Sequence, residues 1–164
     1  MPKHAAPTVA ETARIADQLR RVYEGHAWLG PSLKELLSGI DEAHAARRPI
    51  PHVHTIWELV LHITAWMRIG RDRLSATKTR DETNDENWPS ASGSWKVALA
   101  DLDNEARELE RAILSFSPER LNDPAPATEP QTYYILLHGV IQHAAYHAGQ
   151  IALLKKEFPE AQLS

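Results

Sequence analysis

The chain has 164 residues, nine histidines, no cysteine and a formal charge of −4 from 18 Lys+Arg and 22 Asp+Glu. The missing thiols exclude disulfide scaffolds, cysteine zinc fingers, iron–sulfur clusters and a cysteine nucleophile, and the acidic balance argues against a nucleic-acid partner, which needs a basic patch. Residues 1–164 are expected to form one domain with a substantial core; the opening Met1 to Pro7 has no apolar signal core, and the most apolar stretch, Ile56 to Ile69, is interrupted by Glu58, His62 and Arg68, so a soluble, cytoplasmic protein with no membrane partner is expected.

A first helix is predicted from Thr8 to His26. Thr8 is its N-cap, Glu11 stands three residues on, and Ile15, Leu19 and Val22 line one face while Arg14, Asp17, Arg20 and Arg21 fall largely on the other. Gly30-Pro31 breaks it. A shorter helix follows Ser32 with Leu33, Leu36 and Leu37 inward, ending near Gly39 or Ala46, and Pro49 and Pro51 then require an extended link. Thr55-Ile56-Trp57-Glu58 is a capping-box start for a second long helix that reaches about Ala76. Its middle, Ile56 to Met67, is apolar nearly all round, the mark of a helix packed on several sides. Residues 77–94 are polar and turn-rich, a loop long enough to be functional or mobile. The third long helix starts after Ser94. Trp95, Leu99, Leu102, Ala106, Leu109, Ile113 and Phe116 follow at alternating steps of four and three, the seam of a bundle helix, and Ser117-Pro118 closes it. Residues 118–130 hold four prolines and are expected to loop. The last long helix runs from Gln131 to Glu157, with Lys155 and Lys156 at its negative end. Four long helices with no strand pattern give an all-α fold, a four-helix bundle with a short extra helix and long connecting loops.

One seam of the last helix reads Leu136, Val140, His143, His147, Gln150, Leu154. The stripe is apolar at both ends and polar in the middle. His143 and His147 are four apart and project from one face. Nine histidines in this length give about half of one such pair by chance, so spacing alone is a weak signal. The second long helix carries a matching stripe, Leu59, His62, Trp66, Ile69. Helices in contact lie about 8–10 Å apart, so three imidazoles could converge. Three neutral imidazoles with an open position are a usual layout for a reactive divalent metal. The alternative is three core histidines, each hydrogen-bonded locally.

Glu58, one turn before His62, is a candidate base or acceptor for an imidazole N–H, or simply the capping-box partner. Gln150 continues the ligand seam and could hold a water or pair with backbone. Tyr146 is a candidate proton donor, or a packing residue. His52 and His54 read as an exposed loop, and His138 points away from the pair. The five tryptophans read as core, except Trp88, which could cover a pocket from the long loop.

These residues, quoted as blocks, resemble the DinB-like (DNA-damage-inducible, YfiT-related) superfamily of metalloenzymes, which is unrelated to the DNA polymerase of similar name. The blocks are Trp28-Leu29-Gly30-Pro31-Ser32-Leu33 with Leu36-Leu37, the run His54 to Ile63, Trp88-Pro89 with Trp95, and the run His138 to Ile151. The core of the last block, H-x-x-x-H-x-G-Q-I from His143 to Ile151, is its most specific part. The resemblance implies a four-helix bundle in which His62, His143 and His147 hold a divalent metal, zinc or nickel. It also implies a small-molecule substrate, a homodimer, and for several relatives transfer or isomerisation dependent on a low-molecular-weight thiol such as mycothiol, bacillithiol or glutathione. A metal-dependent hydrolase and a non-catalytic metal-binding or stress-related interaction module are the competing readings.

Overall fold

The computed structural model describes residues 9–75, 80–126 and 130–158. The chain enters α1 (Glu11–Glu24), whose Ile15, Leu19 and Val22 recur at helical spacing on its buried face. It continues through α2 (Leu33–Leu37), α3 (Glu42–Ala46), α4 (Ile56–Leu74), α5 (Asn84–Asn87), α6 (Trp95–Ser115), a 3-10 turn (Pro118–Asn122) and α7 (Tyr133–Lys155). Among the described residues there is no β-strand, only an isolated antiparallel bridge between Pro124 and Thr132.

Three of these helices begin with the same local device. Ser32, Thr55 and Thr83 each accept from the backbone N–H three residues on, and Glu35, Glu58 and Glu86 each reach back to the capping residue's N–H. Two otherwise orphaned donors are satisfied at each start. The box expected at Thr55 is present. Thr8 lies outside the described residues, and α1 starts at Glu11 behind Ala10 with no side-chain cap.

The four long helices pack in a ring ordered α1, α6, α4, α7, each touching the next and α7 touching α1. The α1-to-α4 and α6-to-α7 connections therefore cross the bundle diagonally and have to be long. The first carries α2, which packs on α1 and α7, and α3, which packs on α4 and α6; the second carries the 3-10 turn against α7. The α4-to-α6 connection joins neighbours. Its length is not required by the path, and it is free to serve the site.

The core runs along the whole bundle: Ile15 and Leu19 from α1, Leu59, Ile63 and Met67 from α4, Leu102, Leu109 and Ile113 from α6, Leu137 and Ile151 from α7. The α6 seam is buried as its spacing predicted, with Leu99 only partly so. A carboxylate interrupts the apolar interior between α4 and α6. Glu105 is buried and meets Arg71 at 2.6 Å and Arg68 at 3.3 Å. Buried charges persist only when paired in this way. Gly70 sets the approach of α4 to α7: a Cβ there would sit 3.1 Å from Val140 Cγ2.

Several expectations are corrected. Residues 42–46 form a separate helix, because Asp41 before them accepts from the His44 N–H and caps it. The link after Pro49 is not simply extended, since His52 adopts φ 64° and turns the chain. Part of the 77–94 loop is α5, started by its own capping box; its residues 77–79, and Ala76 before them, lie outside the described residues. The 118–130 loop opens with a 3-10 turn, Pro118 supplying a preset φ at its start. Lys155 stands in the last turn of α7 as expected and in addition ties it to the α2 end, donating to the carbonyls of Leu36 and Ser38 at 2.8 and 2.9 Å. Trp28 is not core: it is fully exposed in the turn after α1, where no element covers it. No described helix is long and apolar enough to cross a membrane.

Candidate metal centre

α4 and α7 are neighbours, and their polar seam positions meet. His62 comes from the middle of α4, and His143 and His147 come from successive turns of α7. His143 Nε2 lies 2.9 Å from His62 Nε2 and 3.0 Å from His147 Nε2. One ligand atom from each of the three falls within 4.8 Å of the others. His62 and His147 are buried and His143 is half-buried. The three rings sit edge to face, with centroids 4.4 to 4.8 Å apart.

The outer nitrogens fix which way the lone pairs point. His62 Nδ1 lies 2.5 Å from the backbone carbonyl of Asn87. A carbonyl only accepts, so Nδ1 carries the proton and Nε2 presents a lone pair to the cluster. Asn87 is the last residue of α5, where a helix leaves its carbonyls without intrahelical partners. The short helix thus delivers an acceptor to His62, and Trp66 Nε1 pins it by donating to Asn87 Oδ1 at 2.8 Å. On the other side His147 Nδ1 donates to Gln150 Oε1 at 2.6 Å, while the Gln150 amide donates to the Tyr146 hydroxyl at 3.2 Å. His147 Nε2 is therefore also a lone pair aimed inward. His143 Nε2 faces both and can donate a proton to only one.

Burial reinforces that electronic state. Desolvation pushes His143 down to about 3, with His147 and His62 adding to the effect. Desolvation also lowers His62 and His147, against the opposing pull of Asn87 and Gln150. Neutral imidazole is the form that binds metals. The three histidines are positioned to hold a metal ion, and a divalent cation at the shared focus would satisfy the converging lone pairs that the side chains alone cannot.

Aromatic rings close the site. Trp88 stacks on His62 with centroids 3.7 Å apart and planes within 3°, and His54 stacks on the far face of Trp88 at 3.7 Å. Trp88 thus covers one ligand ring, as the loop position allowed, and His54 is part of the cover rather than a bare loop residue. The covering segment is fixed to α4 by Arg73 to Glu82 at 2.7 Å as well as by the Asn87 contacts.

The other candidates separate. Glu58 accepts from the Thr55 N–H at 2.8 Å, from Arg48 at 2.7 Å and from His54 at 3.3 Å. The proton of His62 goes to Asn87, not to Glu58. Although burial opposes it, these partners hold the Glu58 carboxyl below its ordinary range. Gln150 is the acceptor for His147. Tyr146 is exposed, edge-on to the His147 ring at 5.1 Å. His138 lies beside Tyr134, away from the triad. Sequence reasoning missed the Asn87 carbonyl and took its helix for loop; the Thr83…Glu86 box is the signal that could have found that helix.

No curated protein and no solved structure shows significant similarity to the chain. The family model described as the DinB superfamily matches residues 29–151, a span that contains α2 through most of α7 and all three histidines. The helical fold and the clustered triad agree with that match, and the chain belongs to the DinB superfamily.

Proposed function

We propose that the protein is a metalloenzyme in which His62, His143 and His147 hold a divalent zinc or nickel ion and a low-molecular-weight thiol is activated for S-transfer or isomerisation. The observation that carries this reading is the convergence of three Nε2 atoms, with the tautomers of His62 and His147 set from behind by Asn87 and Gln150. Three imidazoles leave a coordination position open, as catalytic rather than structural sites do. When bound, the ion supplies Lewis acidity that favours the thiolate form of a thiol in that position. The chain itself has no cysteine, so a sulfur nucleophile has to be brought in.

The remaining work falls to named side chains. Asn87 and Gln150 keep His62 and His147 in the ligating tautomer. Trp88 excludes water from one face of His62. Tyr146, exposed at the rim, receives the Gln150 amide and keeps its own O–H available for a leaving group. In the transfer step the thiolate sulfur forms a bond to an electrophilic carbon, the leaving group departs with its electron pair, and the thiol proton goes to solvent. Hydrolysis would need a base at the centre, and the Glu58 carboxylate is engaged by Arg48, Thr55 and His54.

The test is a screen of glutathione, bacillithiol and mycothiol with activated electrophiles, using protein loaded with zinc or nickel. The reading expects thiol-dependent turnover that is abolished in His143→Ala and in metal-stripped protein. Turnover that survives metal removal contradicts it.

A further inference from the structure

A cavity lies beside the triad, lined by His143 but not by His62 or His147. It has a volume of about 280 Å³ between α4 and α7 and is lined by Trp66, Arg73, Gln131, Leu136, Val140 and His143, with Gly139 at its wall. Two of these residues carry a buried nitrogen with no hydrogen-bond partner among the described residues: Arg73 Nε and His143 Nδ1. Arg73 is 3% exposed, and its Nη2 meets Glu82 at 2.7 Å and Asp81 at 4.0 Å. Buried polar atoms without partners are uncommon, and each costs free energy until something satisfies it.

Arg73 Nε–H is a donor in every accessible state. His143 Nδ1–H is a donor whenever Nε2 faces a metal, so this point rests on the reading above. Two unmatched donors on side chains that line one cavity would be satisfied together by a group with two acceptor positions and no donor of its own. A carboxylate has that form. Trp66, Leu136 and Val140 supply an apolar wall for the rest of such a molecule. We infer that this cavity is a binding subsite for a small organic carboxylate with an apolar body, held by Arg73 and His143.

The subsite would be coupled to the centre. Glu82 balances the charge of Arg73, so the cavity of the metal-free protein offers little net attraction to an anion. A divalent charge on the far nitrogen of His143 makes its Nδ1–H a stronger donor. Carboxylate and metal should therefore bind with positive cooperativity, each raising the affinity of the other by the same factor.

The experiment is calorimetric titration of benzoate into zinc-loaded and zinc-free protein, beside Arg73→Lys and Gly139→Leu. Arg73→Lys keeps a charge opposite Glu82 and removes Nε–H. A Cβ at Gly139 meets nothing within 4 Å, so Gly139→Leu places bulk at the cavity wall without a backbone clash. Zinc stoichiometry and the circular dichroism melt are measured on every protein, so loss of fold is read directly. The inference expects saturable binding with Kd of about 1 mM or tighter, ordinary for a ligand of this size. It expects affinity to be lower without zinc, and about tenfold or more weaker in each variant, the loss of a charge-assisted hydrogen bond or of the space. Zinc binding without benzoate binding overturns the subsite and leaves the centre. Benzoate binding that is insensitive to both substitutions also overturns it, since direct coordination to zinc gives that result. Benzoate binding that responds to both substitutions in a protein that takes up no zinc supports the cavity and its Arg73 contact and overturns the centre, and with it the donor role of His143 and the coupling.

Discussion

Gln150→Ala removes the acceptor that fixes His147 while leaving all three ligands in place. In the structure the His147 Nδ1–H has one partner, Gln150 Oε1 at 2.6 Å. Without it the ring is free to take the other tautomer, which puts the proton on Nε2 and the lone pair away from the focus. Losing such a supporting contact costs about 10- to 100-fold in metal affinity, or about 1.4 to 2.7 kcal/mol. Gln150 is half-buried and Tyr146 beside it is exposed, so water can reach Nδ1 after truncation. That places the expected loss near the lower end, about tenfold. Gln150→Glu should move the other way, because an ionised acceptor makes the stronger hydrogen bond and raises imidazole basicity. The assay is competition for zinc against a chromophoric chelator at neutral pH, with circular dichroism to verify the fold. Wild-type zinc affinity in a folded Gln150→Ala protein would refute the role assigned to Gln150. The matching contact at His62 is a backbone carbonyl, which no substitution at Asn87 deletes, so Gln150 is the sensitive half of the pair.

Leu109 is fully buried in α6, so Leu109→Ala should lower unfolding stability by about 2 to 5 kcal/mol, read from urea transitions; a change under about 0.5 kcal/mol would contradict the packing described. Thr55→Ala removes the cap of the helix that carries His62 and should cost about 1 kcal/mol by the same assay, with no loss expected at the exposed position Lys96 as a control. Metal-free protein should lose stability as pH falls below about 6.5. The three imidazoles are held low in the native state, so in that window the unfolded chain binds protons that the native chain does not, and stability rises with pH. The slope is at most about 1.4 kcal/mol per pH unit for each imidazole that stays neutral, less where water screens it. Urea midpoints at successive pH values should fall more steeply for wild type than for His143→Phe; equal slopes would show that His143 is not held neutral.

The sequence was most legible where one local rule decides the outcome. The seam from Trp95 to Phe116 follows from spacing alone, and the Thr55 start follows from its capping box. The same box, Ser32…Glu35, starts the short helix expected after Ser32, and applied to Thr83…Glu86 it finds a helix start that a polar context disguises. The triad was legible because His62, His143 and His147 interrupt apolar stripes on two helices, and inward histidines in facing seams must meet if the helices do. The bundle's ring order was not legible, because short-range pattern does not say which pairs are diagonal. Nor was the partner of His62. Glu58, one turn away on the same helix, was the natural guess, but the acceptor is a main-chain carbonyl 25 residues on, brought in by a connection whose path depends on tertiary contacts such as Trp66 to Asn87. Trp28 shows the opposite failure: its residue type argues for burial, yet the chain leaves nothing above it.

Elemental analysis tests the central claim most directly. Protein purified without an affinity tag or added metal is compared with the His62→Ala/His143→Ala/His147→Ala variant, both checked for helical content. The account predicts about one equivalent of zinc or nickel in the wild type and none in the variant. A folded wild type that neither carries nor takes up divalent metal, or a variant that retains its full equivalent, would contradict it.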